Sequence, residues 1–153
     1  MPTQKIDKQA FLLRCWEVFH TQGYHNTSMQ DLAAATGLQK AGLYHHYPTK
    51  EALMQSVMAF ALEQFHAYVL SVAHDESLPV AQRLEKLLRR NKRIVTAYRR
   101  GCFFANIGLE TGRDEQFNTL IQRAMQDWID TVAGLLAHAM PPDQARREAA
   151  RLM

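Results

Sequence analysis

The stretch from Thr27 to Lys50, TSMQDLAAATGLQKAGLYHHYPTK, reads as two short helices broken by a glycine turn. Ser28-x-x-Asp31 has capping-box spacing: the serine oxygen accepts a backbone N–H and the acid favours the helix N-terminus. Leu32 and Ala33 face inward, and Gly37 permits a turn that residues with a Cβ resist. The next helix runs from about Lys40 to Tyr47, anchored by Leu38, Leu43 and Tyr47, and Pro48 stops it. This is the layout of a helix-turn-helix, whose second helix lies in the DNA major groove. With Leu38 and Leu43 inward, Lys40, Ala41, Gly42, Tyr44, His45 and His46 are left facing out. Lys40 suits a guanine edge or a phosphate, and Ala41 and Gly42 allow close approach. Gly42 inside a helix costs about 1 kcal/mol relative to alanine, so its placement calls for a reason. Tyr44, His46 and Lys50 can donate to phosphates, beside the helix N-terminus at Thr49. His45 and His46, adjacent on a helix and without a third ligand, do not make a metal site.

Helical periodicity continues on both sides, and strand signals are nearly absent. A first helix over Asp7 to Gln22 carries Phe11, Leu12, Cys15, Val18 and Phe19 on one stripe and ends at Gly23. Cys15 on that stripe reads as a small core residue. After Pro48, Thr49 caps a fourth helix that keeps its spacing to about His74. A fifth helix spans Val80 to Arg100 with Leu84, Leu87, Leu88, Ile94, Val95 and Tyr98 as its buried set. A short apolar sixth element follows, then a turn at Thr111-Gly112-Arg113-Asp114. A seventh helix covers Glu115 to Ala139, and Asp143 caps an eighth. The fold class is all-α: a three-helix head and a longer helical body sharing the fourth helix.

At 153 residues and 47% hydrophobic content the chain can bury a real core. Its formal charge of +3 is compatible with nucleic acid without establishing it. The basic residues cluster elsewhere: residues 83–100 hold eight Lys/Arg against the single Glu85, a run that usually marks a solvated helix face. The two cysteines, Cys15 and Cys102, lack metal or disulfide-scaffold spacing. No signal-peptide pattern opens the chain, and no uninterrupted apolar run reaches the ~18 residues of a membrane span. A cytoplasmic protein without cofactor or metal is the expectation. No nucleophile–base pair, paired carboxylates or phosphate loop points to an enzyme.

From Phe11 through Leu53 the chain resembles the head of the tetracycline-repressor (TetR) family. The matching residues are Phe11-Leu12-x-x-Cys15-x-x-Val18-Phe19, Gly23-Tyr24, Thr27-Ser28-Met29-x-Asp31-Leu32-Ala33, Gly37-Leu38-x-Lys40-x-x-Leu43-Tyr44-x-His46-Tyr47 and Lys50-Glu51-x-Leu53. Cys15 stands where alanine is usual, Tyr47 where phenylalanine is usual, and Gln39 where a capping serine or threonine is usual, which weakens the third helix's cap. The resemblance implies a DNA-binding domain over residues 5–65, with the motif at about 28–47, and an effector-binding and dimerisation domain over 66–153. It implies a homodimeric repressor that binds pseudo-palindromic double-stranded operator DNA and is released by a small-molecule effector. By position, the family's DNA contacts fall on Ser28, Gln30, Lys40, Ala41, Gly42, Tyr44, His46 and Lys50, with His45 a lesser candidate.

In that family the body encloses a ligand cavity. Met54, Met58, Phe60, Phe65, Tyr68, Phe103, Phe104 and Trp128 would give it an aromatic and methionine lining suited to an apolar effector, with Asn106 and His66 as polar groups. Such stripes are also the ordinary content of a helical core. Cys102, at a helix start beside Arg99 and Arg100, has the setting of a reactive thiol and is a candidate sensor of electrophiles. The family's interface uses two long C-terminal helices, whereas this chain ends barely eleven residues into the eighth, so either a shortened body or a different mode of dimerisation is expected. The alternative function is a shortened relative acting as a protein-interaction module that pairs with full-length partners.

Overall fold

The structure, a computed structural model, describes residues 7–97, 99–112 and 114–153. Among them every regular element is helical: α1 (Lys8–Gln22), α2 (Met29–Thr36), α3 (Lys40–His46), α4 (Lys50–Tyr68), a 3-10 turn (Leu70–His74), α5 (Val80–Ala97), α6 (Phe103–Thr111), α7 (Glu115–Leu136) and α8 (Pro142–Arg151).

The caps explain the helix starts. Asp7 accepts from the Gln9 N–H, and Thr49 Oγ1 accepts from the Ala52 N–H. At α2 both halves of the Ser28–Asp31 capping box are present. Gln39, at the start of α3, offers no side-chain cap, as its identity predicts. Four of the five stripe residues of α1 are buried; Val18 is half-buried.

Several boundaries differ from the sequence reading. The fourth helix ends at Tyr68, not His74. An α-helix would offer the Ala67 and Tyr68 carbonyls to the N–H groups of residues 71 and 72. Ser71 Oγ takes the first at 2.6 Å and the Arg90 guanidinium the second at 2.7 Å. The backbone tightens instead, and the Val72 N–H donates to Val69 O. The α5 helix stops at Ala97, and Tyr98, expected in its buried set, lies outside the described residues. So does Arg113 of the expected turn, where Asp114 caps α7. The α7 helix ends at Leu136 rather than Ala139. Asp143 is not a cap: Pro141 occupies that position, with Pro142 pre-setting the first helical φ and Asp143 in the first turn.

Two clusters of buried side chains make the core. One joins α1, α2 and α3 to α4, α6 and the start of α7 through Phe19, Leu32, Leu43, Met54, Ile107 and Phe117. The other packs the 3-10 turn, α5, the end of α7 and α8 around Val69, Leu87, Trp128 and Val132. Phe65 touches both and stacks on Trp128 at 6.3 Å between centroids. The Trp128 indole N–H donates to Ala149 O at 3.1 Å, tying α7 to α8. Residues 50–74 are long and apolar enough to cross a membrane by length and composition alone. Leu53, Met54, Val57 and Met58 are fully buried against the other helices, which is what a core helix does.

Gly23 has φ 87° and ψ 163°, a region essentially restricted to glycine. A Cβ there would stand 2.9 Å from the Glu110 carboxylate of α6. Gly23→Ala is therefore expected to cost about 1–3 kcal/mol in a urea melt, since strain and displacement of Glu110 add. A change under about 0.5 kcal/mol, the scale of a neutral surface substitution, would contradict the placement.

Candidate nucleic-acid interface and ligand cleft

The α3 helix is attached by one fully buried side chain, Leu43, with Leu38 and Tyr47 half-buried beside it. Its other face is exposed and holds Lys40, Ala41, Tyr44, His45 and His46. The Lys40 ammonium sits 5.9 Å from the Tyr44 ring centroid, and the rings of His45 and His46 are 5.5 Å apart, edge to face. Gly42 lies between them with open space where a Cβ would project. Nothing inside the protein requires that glycine, although it weakens the helix. Gln30, also exposed, lies on α2.

Ser28 and Lys50 are engaged within the chain. The Ser28 hydroxyl accepts from the Asp31 N–H at 3.1 Å and donates to the Asp31 carboxylate at 2.7 Å. The hydroxyl's bond, and then the Ser28 N–H donating to the same carboxylate at 2.8 Å, hold the Asp31 carboxyl below its usual range. The Lys50 ammonium donates to the carbonyls of Tyr24 at 2.9 Å and Thr27 at 3.1 Å, lying 4.4 Å from the Tyr24 ring centroid. It staples the α1–α2 turn to the start of α4. Glu51 adds a second tie, accepting from the Tyr24 hydroxyl at 2.9 Å. Its own backbone N–H and then that hydroxyl hold Glu51 low. Burial, then Glu51, pushes Tyr24 up.

A third tie comes from α6, a role that spacing and residue type do not reveal. The His25 N–H donates to the Glu110 carboxylate at 3.2 Å, and the His25 ring Nε2–H donates to Glu110 O at 2.8 Å. At the other end of α6, buried His20 of α1 donates from Nε2 to Gly101 O at 3.0 Å. Burial lowers the pKa of His20, against the pull of that hydrogen bond.

A cleft of about 600 Å³ opens between α1, α4, α5, α6 and α7. Of the residues expected to line a cavity, Phe60, Phe65, Tyr68, Phe103, Phe104 and Trp128 meet there, and Cys102 joins them at the N-cap of α6. Met54 and Met58 do not reach it; both are fully buried in the first core cluster. Asn106 faces a smaller cleft of about 270 Å³ on the other side of α6, its amide donating to Arg100 O at 2.6 Å. His66 binds Asp127 at 2.6 Å, linking α4 to α7. Two contributions escape the sequence reading. Trp16 and Leu13 bring α1 into the lining, and Ile94 and Val95, expected in the core, are half-buried and face the cleft. Cys15, by contrast, is fully buried, and burial pushes its thiol up to about 12, the state of an inert core sulfur.

Residues 14–57 match the sequence model of a family described as bacterial regulatory proteins, tetR family. The HTH-type transcriptional repressor DhaR of Mycobacterium sp. (strain GP1) is 24% identical over 144 residues, 94% of this chain and 72% of that protein. The crystal structure of AibR in complex with isovaleryl coenzyme A and operator DNA is 28% identical, with TM-score 0.73, covering 94% of this chain and 80% of that one. A TetR transcriptional regulator from Legionella pneumophila shares the fold, with TM-score 0.84 at 16% identity over 99% of this chain and 82% of that one.

Two variants test the geometry. Lys50→Met removes two charge-assisted hydrogen bonds and is expected to cost about 1.5–3 kcal/mol of stability without DNA; an unchanged denaturation midpoint would mean that the ammonium is free. Folding holds His20 below the exposed-imidazole value of 6.5. The stability it confers is therefore complete above that pH and lost as pH falls through it. Thermal melts between pH 7.5 and 5.5 should fall less steeply for His20→Gln than for wild type, and parallel slopes would contradict the assignment.

Proposed function

We propose that this chain, whose N-terminal helix-turn-helix domain belongs to the TetR family of DNA-binding transcriptional regulators rather than to an enzyme family, is a cytoplasmic repressor released from its operator by a small apolar or electrophilic effector. Family members generally bind operator DNA as dimers and respond to small molecules. In this reading the chain acts as a homodimer on a pseudo-palindromic site. Lys40, Ala41, Gly42 and His45 read or approach the bases, while Gln30, Tyr44, His46 and the N–H groups opening α4 meet phosphates. Ser28 and Lys50 act behind them, holding the turn in place.

The observation that carries the reading is that two helices run from the cleft to that turn. On α4, Lys50 and Glu51 grip the turn and Phe60, Phe65 and Tyr68 line the cleft. On α6, Phe103 and Phe104 line the cleft and Glu110 grips the turn. An effector that separates α5 and α7 from these helices changes the pose of α2 and α3 by favouring one of two pre-existing states. The AibR complex, which holds a small ligand and operator DNA together, supports assigning both partners to one chain of this fold. Cys102, at the cleft wall, is the residue an electrophilic effector would modify.

Fluorescence anisotropy on DNA flanking the chain's own gene tests the reading. Binding should weaken steeply with salt, as phosphate contacts require. Gly42→Ala should stabilise the free protein by up to about 1 kcal/mol and weaken operator binding at least tenfold. Unchanged affinity would remove α3 from the interface, and no binding at low salt would overturn the function.

A further inference from the structure

We propose that the cleft takes an amphipathic organic anion, its apolar chain against Trp16, Phe65 and Trp128 and its charged end held by Arg90 and Lys92 on α5. The inference rests on the effector reading above and narrows the effector's chemistry.

The lining is mostly aromatic and aliphatic, with Asp7, Gln9, Gln64 and Asn91 as polar members, and none of its residues is Lys, Arg or His. A ligand charge inside would lie unpaired in an apolar setting, which is costly, so the charge belongs at the rim. The rim on α5 is cationic. Asn91, Ile94 and Val95 line the cleft. At about 100° per residue, Arg90 sits about 40° from Ile94 and Lys92 about 60° from Val95, so the two cations flank the stripe.

Arg90 is also fixed at the rim by contact. Its guanidinium lies 4.8 Å from the ring centroid of Tyr68, itself a lining residue, and donates to Tyr68 O at 2.7 Å. That bond uses one of its five donors and leaves a planar fork suited to carboxylate or phosphate. Other cations of the run are engaged elsewhere: Arg83 with the Leu78 carbonyl, Lys86 with Asp75 and Arg89 with Glu85. Lys92 is exposed beside Arg93, and the two add to the positive field at this edge. Across the cleft the lining includes Asp7 of α1, which repels an anion from that side. The ligand's orientation follows: anion toward α5, chain toward Trp128 and α7. A volume of about 600 Å³ accommodates a medium-length chain.

Both tryptophans of the chain, Trp16 and Trp128, line the cleft, so intrinsic fluorescence reports binding directly. Decanoate, decyl phosphate and decanol are titrated below their aggregation limits, without DNA. The anions are expected to bind at least tenfold more tightly than decanol, and whichever of the two binds more tightly identifies the end group. Arg90→Gln, which keeps a donor for Tyr68 O, combined with Lys92→Gln should bring the anions to the affinity of decanol and leave decanol unchanged. Decanol binding as tightly as the anions, or a ratio untouched by the double variant, overturns the charge assignment and leaves the cleft reading intact. Silence from all three probes overturns both.

Discussion

The structure depends on how the turn between α1 and α2 is held. Residues 23–28 make one short crossing, and three groups distant in sequence converge on it: the Lys50 ammonium, the Glu51 carboxylate and the Glu110 carboxylate. Thr27, buried, closes it from within by donating to Gly23 O at 2.6 Å. Hydrogen bonds to charged groups contribute about 1.5–3 kcal/mol each. Two or three of them are a large part of the roughly 5–15 kcal/mol that holds a domain folded. With α3 attached through Leu43 alone among fully buried side chains, the turn rather than the core decides how α2 and α3 are presented.

That constraint gives the cleft its leverage. The nine residues of α6 span roughly 13 Å at 1.5 Å per residue, a stiff rod with an aromatic pair at one end and Glu110 at the other. The α4 helix has the same arrangement, with charged residues at the turn and aromatic ones at the cleft. Neither helix need deform for occupancy of the cleft to reach α3; a small rotation of either moves the groups that grip the turn.

Much of this was legible in the sequence, and what was not has physical causes. Local chemistry was readable in part: Ser28–Asp31 and Thr49 cap as their types and positions predict, and the spacing of Phe11, Leu12, Cys15 and Phe19 matches the buried face of α1. The end of α4 was not, because a non-local donor, Arg90, takes the carbonyl that would have continued the helix. The two carbonyls that Lys50 meets were not legible either, because sequence position shows a charge but not its partners. Glu110 and His25 are 85 residues apart, with no periodicity to connect them. Apolar spacing identified Ile94 and Val95 as one face of α5 but could not separate a core face from a cleft wall, a distinction set by how far α5 stands from α1.

The central claim, that cleft occupancy is felt at the turn, is tested most directly by amide hydrogen exchange in a variant that fills the cleft from α5, Val95→Trp. Exchange of the His25 and Thr27 amides should change by several-fold relative to wild type, while that of amides inside α2 and α8 stays the same. Unchanged exchange at His25 and Thr27, in a variant whose melting temperature and near-ultraviolet signal show the cleft to be filled and the fold intact, would contradict it.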